Sequence, residues 1–270
     1  MIAVILAAGR GGRLSGVLGD RPKCLARVGD KTLLERQIAS IRSLGISDIA
    51  VVTGFRGDDV QRVAGGGVQV VHNARYSVTN SLYSLWLARD LLTDGFVVFN
   101  CDVLFAPDML ELLLNSPHED AVLVCTRDEA TTYGEEEMKV AIEHGLVTAM
   151  SKALTVDEAA GENVGIVKFG AAGAHVLCEE LRRLVAEGKT REWLPRAFSS
   201  FCNRRPLHVV DTAGWPWIEI DVPEDYWRAC REVLPVIDRL SVRTPLKRTA
   251  PAAADGPAAT LRNERNLRHV

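Results

Sequence analysis

An α/β fold, with a mixed but mostly parallel sheet flanked by helices, is predicted by three features of the sequence. Short β-branched runs alternate with helix-patterned stretches in the N-terminal part of the chain. The first apolar run stops at the glycine-rich stretch GRGG, at residues 9–12. A later run, FVVFNCD at 96–102, ends in a carboxylate.

Taken in order, residues 2–6, 49–52, 68–72 and 96–101 read as strands, and 31–44 and 81–92 as helices. The first helix is well marked. Thr32 and Glu35 have capping-box spacing, Leu33, Leu34, Ile38, Ile41 and Leu44 share a face, and Gly45 follows as a stop. The triple glycine at 65–67 reads as a turn. Beyond Asp102 a helix is expected at 107–114, apolar runs at 121–125, 138–142 and 164–169, and helices at 172–186 and 192–201. Strands at 207–210 and 217–220 and a helix at 223–240 follow. From Ser241 onward periodicity gives way to Pro, Ala, Arg and Thr, so the expected organisation is one domain over 1–240 and a disordered basic Pro/Ala-rich tail over 241–270.

Composition excludes several classes. Of 270 residues 47% are hydrophobic and 25% charged, which is ordinary for a globular protein. The net charge is −3, but residues 241–270 hold six Lys/Arg against two Asp/Glu, so residues 1–240 carry −7. A body that acidic is a poor nucleic-acid binder. The six cysteines show no CxxC pair and read as free thiols of a reducing compartment. The apolar run precedes the basic residues in MIAVILAAGRGGR, the wrong order for a signal peptide, and no apolar run approaches membrane-spanning length. The cytoplasm is therefore expected, with no membrane partner.

The stretch LAAGRGGRL at 6–14 carries the strongest chemical message. Glycines at 9, 11 and 12 let backbone N–H groups converge on an anion, which makes a phosphate cradle at a strand end. A dinucleotide fingerprint would need Gly at 14, where Leu stands, and a P-loop would need a following GK[ST], which is missing. Arg21-Pro22-Lys23-Cys24-Leu25 follows closely, so Arg13 could hold the β- and γ-phosphates and Lys23 could offset charge on the α-phosphoryl group. Asp102 ends a buried strand on the side where open α/β sheets bind ligands. Asp221, in WIEIDVP, sits at a second strand end, where it could also cap the helix that begins near Pro223. Two carboxylates can share one Mg²⁺ while phosphate and water complete its shell.

With LAAGRGGRL, PKCL and these two aspartates in place, the chain resembles nucleotidyltransferases with the pattern LAAGxGxRL followed by PKxL. That family includes sugar-1-phosphate nucleotidylyltransferases and small cytidylyltransferases. The resemblance implies a Rossmann-like fold of the nucleotide-diphospho-sugar transferase type. It also implies a nucleoside triphosphate over Leu6, Ala7, Ala8, Gly9, Gly11 and Gly12, with Arg13 and Lys23 catalytic and Mg²⁺ at Asp102 and Asp221. Gly12 stands where Ser or Thr is often found. The stretch TNSLYSL at 79–85, with PKCL and KTLLERQI, resembles the phosphocholine, inositol-phosphate and aminoethylphosphonate cytidylyltransferases more than the hexose enzymes. There Thr79, Asn80 and Ser81 would lie beside the base, although Asn80 or Ser81 could equally cap the next helix. Lys139 and Lys152 are candidates for the acceptor phosphate. Glu162, Glu219, Trp215 and Trp217 are candidates for a pocket around a cationic head group.

The expected activity is Mg²⁺-dependent transfer from CTP to a small phosphate or phosphonate acceptor, of the phosphocholine or 2-aminoethylphosphonate type, releasing pyrophosphate. The alternatives are a sugar-1-phosphate nucleotidylyltransferase using UTP, dTTP or GTP, and a silent nucleotide-sensing subunit. The oligomeric state stays open, a homo-oligomer included.

Overall fold

The computed structural model describes residues 1–126 and 136–243, so most of the expected tail, 244–270, lies outside the described residues. The chain opens with β1 (Ile2–Ala7) and a short helix α1 (Ser15–Leu18), then the small hairpin β2 (Arg27–Val28) and β3 (Lys31–Thr32). Next come α2 (Leu33–Ser43), β4 (Ile49–Thr53), α3 (Gly57–Ala64), β5 (Val68–His72), α4 (Ser81–Leu87) and β6 (Phe96–Asn100). The rest comprises β7 (Val103–Phe105), α5 (Pro107–Asn115), β8 (Ala121–Thr126), β9 (Lys139–Glu143), β10 (Leu146–Ser151) and β11 (Gly161–Phe169), then α6 (Ala171–Ala186), α7 (Pro195–Cys202), β12 (His208–Asp211), β13 (Trp217–Glu219), α8 (Pro223–Arg228) and α9 (Leu234–Arg243).

Nine strands form one sheet in the order β5-β4-β1-β6-β11-β8-β12-β10-β9. The pairings β5–β4, β4–β1 and β1–β6 are parallel, as the alternation of strands and helices requires. β11 lies antiparallel between β6 and β8, so the second half is mixed. Side chains alternate across β1: Ala3, Ile5 and Ala7 join the layer containing α2, α5 and α9, while Val4 and Leu6 join the layer containing α4, α6 and α7. The described residues include no helix long and apolar enough to cross a membrane.

Several elements differ from the sequence reading. The helix expected at 31–44 starts at Leu33, because residues 31–32 belong to β3 and Thr32 is the cap; its hydroxyl accepts from Glu35 N–H and Glu35 returns the bond. The strand expected at 217–220 is not in the main sheet. It pairs antiparallel with β7, a three-residue strand too short for its pattern to show. The helix expected at 223–240 is interrupted by a π-turn at Ala229–Val233. Pro235 accounts for that break: it has no N–H to donate, and its ring would strike the carbonyl four residues back in a regular helix. β10 has no counterpart in the sequence reading, and α3, implied there only by the glycine turn at 65–67 between a helix and a strand, offers just Val60 and Ala64 as buried positions.

Candidate active site

The chain runs outward from β1 through β4 to β5, then crosses back to place β6 on the other side of β1. The crevice at such a reversal is where open α/β sheets bind ligands. A cleft of about 270 Å³ opens there, lined by Leu6, Ala8, Gly9, Gly11, Gly12, Arg13 and Lys23 from the first segment and by Asp102 after β6. Ala7 faces the core instead.

The three loop glycines have different roles. Gly11 has φ of 67° and caps the 3-10 turn Gly12–Leu14; a Cβ there would lie 2.7 Å from Lys23 Cβ. It is needed both for its backbone and for the room it leaves Lys23. A Cβ on Gly9 or Gly12 would meet nothing within 4 Å, so their faces are open to the cleft.

Lys23, buried to 11% side-chain exposure, donates from Nζ to Asp102 Oδ2 at 2.7 Å and to Asp221 Oδ1. Arg13 donates to Asp221 Oδ2 at 3.0 Å and also pairs with Glu136 at 3.1 Å. Asp221 is free for this because another carboxylate caps α8: Asp225 Oδ2 accepts from the N–H groups of Asp221 and Val222. Asp102 and Asp221 are brought together by the β7–β13 ribbon, in which Glu219 faces Val103, and by Ile220 N–H donating to Asp102 O at 3.0 Å. One oxygen each of Asp102, Glu219 and Asp221 lie within 4.8 Å of one another. Glu219 thus sits beside the aspartates rather than apart from them.

The electrostatics follow from this crowding. Burial opposes the charge of Lys23 and is the largest single influence, but Asp102 and Asp221 outweigh it and hold the ammonium above its ordinary value. Asp221 is likewise disfavoured by burial yet lowered by Lys23, Arg13 and Lys152 combined. Glu219, half-buried and facing Asp102 and Asp221, is pushed up to about 8 by loss of solvent and by those two charges. Among the described residues, Asp102 Oδ1 is buried with no hydrogen-bond partner.

Thr79, Asn80 and Ser81 line the opposite wall. Asn80 is the cap of α4, accepting from Ser81 N–H at 2.8 Å, so the capping role expected as an alternative is real. The segment is held from both sides. Asn73, 1% exposed, donates from Nδ2 to Thr79 Oγ1 and to Ser84 Oγ, both at 3.1 Å, and accepts from Arg75 N–H. From outside, Asn80 N–H donates to Thr190 O at 2.9 Å, and Leu194 N–H donates to Ser81 Oγ at 2.8 Å.

On the remaining side, Lys152 lines the cleft, pairs with Glu136 at 3.0 Å and lies 5.5 Å from the ring centre of Trp193. Trp193, 52% exposed, is the tryptophan that lines the cleft. Trp215 and Trp217 do not line it. Trp215 lines a separate groove beside α5, and Trp217 pairs with Phe105 and packs on the core, about 7 Å further along the strand than Glu219. Lys139 is also turned away: it is buried, and its ammonium donates to the carbonyl of Lys152 at 2.9 Å. Glu162 lies behind the wall, pushed up to about 7 by burial and by Glu137, with Lys139 opposing.

Sequence reasoning missed Asn73 and Trp193. A buried Asn just past a strand had no local pattern to mark it. Trp193 reaches the cleft only because the chain before α7 is tied to residues 80–81.

Residues 3–200 match the family described as the MobA-like NTP transferase domain. The bifunctional IPC transferase and DIPP synthase of Rubrobacter xylanophilus is 32% identical over 227 residues, covering 83% of this chain and 50% of that protein. The chain therefore spans about half the length of that relative. The choline-phosphate cytidylyltransferase of Streptococcus pneumoniae is 28% identical over 242 residues, 87% of this chain and 98% of that one. The inositol-1-phosphate CTP transferase from T. maritima superposes with a TM-score of 0.73 at 21% identity, covering 89% of this chain and 96% of that one. That likeness shows the nucleotide-diphospho-sugar transferase fold.

Proposed function

The chain belongs to the MobA-like NTP transferase family and is a nucleotidyltransferase; within that family we propose that it transfers CMP from CTP to a small phosphate or phosphonate acceptor with a cationic head group, releasing pyrophosphate. The observation that carries the chemistry is the placement of Lys23 and Arg13 against Asp221 and Asp102, at the mouth of a glycine loop whose open faces can receive a triphosphate.

The acceptor's phosphate oxygen is already anionic and attacks the α-phosphorus, the bond to pyrophosphate breaks, and no protein nucleophile is required. The backbone at Gly9, Gly11 and Gly12 holds the triphosphate. Arg13 and Lys23 neutralise the charge that gathers on the phosphoryl oxygens and on the leaving group. Thr79, Asn80 and Ser81 offer polar atoms to the pyrimidine edge, with Asn80's amide still able to donate after capping α4.

The donor set fits Mg²⁺: three carboxylates converge, and Asp102 Oδ1 is a buried oxygen without a partner among the described residues. Asp102 and Asp221 would hold it, with Glu219 adjacent, and when bound it would supply further charge neutralisation to the phosphates.

The acceptor reading rests on charge. Glu137 acts on Glu162 and Glu162 on Glu219, which lines the cleft beside the aspartates, a run of acid that suits an amine or quaternary ammonium. In this reading Lys152 contacts the acceptor phosphate and Trp193 the head group; both line the cleft. Choline phosphate is the acceptor in the name of the S. pneumoniae relative, which matches over nearly its whole length.

A pyrophosphate-release assay tests this, crossing CTP, UTP, dTTP and GTP with phosphocholine, 2-aminoethylphosphonate, inositol phosphate and glucose-1-phosphate. CTP with one of the first two acceptors should win. A tenfold preference for glucose-1-phosphate with another nucleotide would make the chain a sugar-1-phosphate nucleotidylyltransferase. No turnover with any pair would favour a silent nucleotide-sensing subunit.

A further inference from the structure

The carboxylates of Asp102, Glu219 and Asp221 would repel one another strongly at such close range, and the chain places one of its own cations between two of them. Lys23 Nζ touches one oxygen of Asp102 and one of Asp221 at the same time. A divalent ion held by the two aspartates would draw on the same pair of carboxylates, and its charge would repel the ammonium at that range. Lys23 and an ion therefore compete there.

The root of Lys23 cannot move aside. Its Cβ packs against Gly11, and its backbone is held in a 3-10 turn in which Leu25 N–H donates to Pro22 O and Ala26 N–H to Lys23 O. Beyond Cβ the flexible stem can swing. A place for the ammonium lies close by, since Gly9 and Gly12 present open faces where an anion would sit. An anion at that loop offers Lys23 an alternative to the carboxylates.

We propose that Lys23 is an internal counter-ion that keeps a divalent ion off Asp102 and Asp221 until a triphosphate at the glycine loop draws its ammonium away. Metal and nucleotide then enter the site together, and neither carboxylate binds metal well beforehand. This rests on the reading of Asp102 and Asp221 as metal ligands.

The test is Mn²⁺ binding by the full chain without nucleotide, read from the electron paramagnetic resonance signal of free Mn²⁺. The wild type should bind Mn²⁺ weakly, and Lys23→Met should bind it at least about tenfold more tightly, because the competing charge is gone. Adding Asp221→Asn to Lys23→Met should remove the gain. Lys23→Gln, which keeps a polar tip without charge, should reproduce it and serves if Lys23→Met fails to fold. Equal Mn²⁺ affinity in wild type and both Lys23 variants, lost in each on Asp221→Asn, would overturn the counter-ion role and leave the metal site standing. Mn²⁺ binding insensitive to Asp221→Asn would overturn both.

Discussion

On the phosphate side of the cleft, Gly11, Arg13 and Lys23 come from one short stretch after β1, and the contact of Gly11 with Lys23 Cβ sets the geometry locally. On the side proposed for the acceptor, Glu136, Lys152 and Trp193 come from three separate places and meet through antiparallel registers and loop hydrogen bonds. A local arrangement survives wherever its stretch is kept. A non-local one shifts with every change of register, so the reaction should be robust and the acceptor preference adjustable.

The largest expected effect falls on the local side. Lys23→Ala or Arg13→Ala should lower kcat by two orders of magnitude or more with the fold kept, since one preorganised charge contact is worth about 3–4 kcal/mol. Near wild-type kcat in steady-state assays of Lys23→Ala would remove the basis for the contrast.

The glycines sharpen it. Gly11→Ala forces a side chain into a left-handed residue and against Lys23, at a backbone cost of about 1–2 kcal/mol, and should reduce kcat at least about tenfold. Gly12→Ala, with open space around it, should keep kcat within about threefold. Equal losses in the two variants would show that Lys23 does not depend on Gly11.

Asn73 supports the base wall without facing the reaction. Asn73→Ala leaves Thr79 and Ser84 without their donor, which should raise the KM for CTP about tenfold and leave the acceptor KM within about twofold. A matching rise in both constants would indicate general loosening.

The acceptor side can be addressed by pH. Glu162 titrates near 7, so the folded chain binds its proton more tightly than the unfolded chain does. Stability is therefore lost as pH rises from the ordinary carboxylate range through 7. Glu162→Gln should change Tm little at pH 5 and raise it by several degrees at pH 8. It should also flatten a rise in kcat/KM for a cationic acceptor through pH 7. A pH-independent profile in the wild type would detach Glu162 from the acceptor.

The smallest effect is expected from ending the chain at Arg243. Residues 244–270 offer little apolar surface to offset ordering, so Tm and kcat should not change. A measured loss of either would show that this segment contributes.

How much of this was legible in the sequence follows the same division. The parallel strands, the α2 capping box and the meeting of the glycine loop, Lys23 and both aspartates at one cleft are legible because each depends on short patterns. Glu219 stands beside Asp221 by strand alternation, but its closeness to Asp102 depends on β7, too short to read. The tryptophans show the limit. Trp215 and Trp217 lay near the right carboxylates in sequence, yet it is Trp193 that lines the cleft, brought there by Leu194 N–H bonding Ser81 Oγ across the fold. Lys139 was a plausible phosphate ligand until the closing of β9 onto β10 and β11 buried it under the Lys152 carbonyl.

The small β7–β13 ribbon sets the ends of everything between. Phe105 faces Trp217, and Ala106 N–H donates to Pro216 O at 3.1 Å, so residues 106–216 leave and return at the same point. Loops inside that excursion can lengthen at little cost, since closure entropy grows only with the logarithm of length. The spacing of Asp102 and Asp221 is indifferent to such changes. The excursion is thus a cassette on a fixed mount: foreign residues inserted at the exposed turn of His144 and Gly145, between β9 and β10, leave the mount intact.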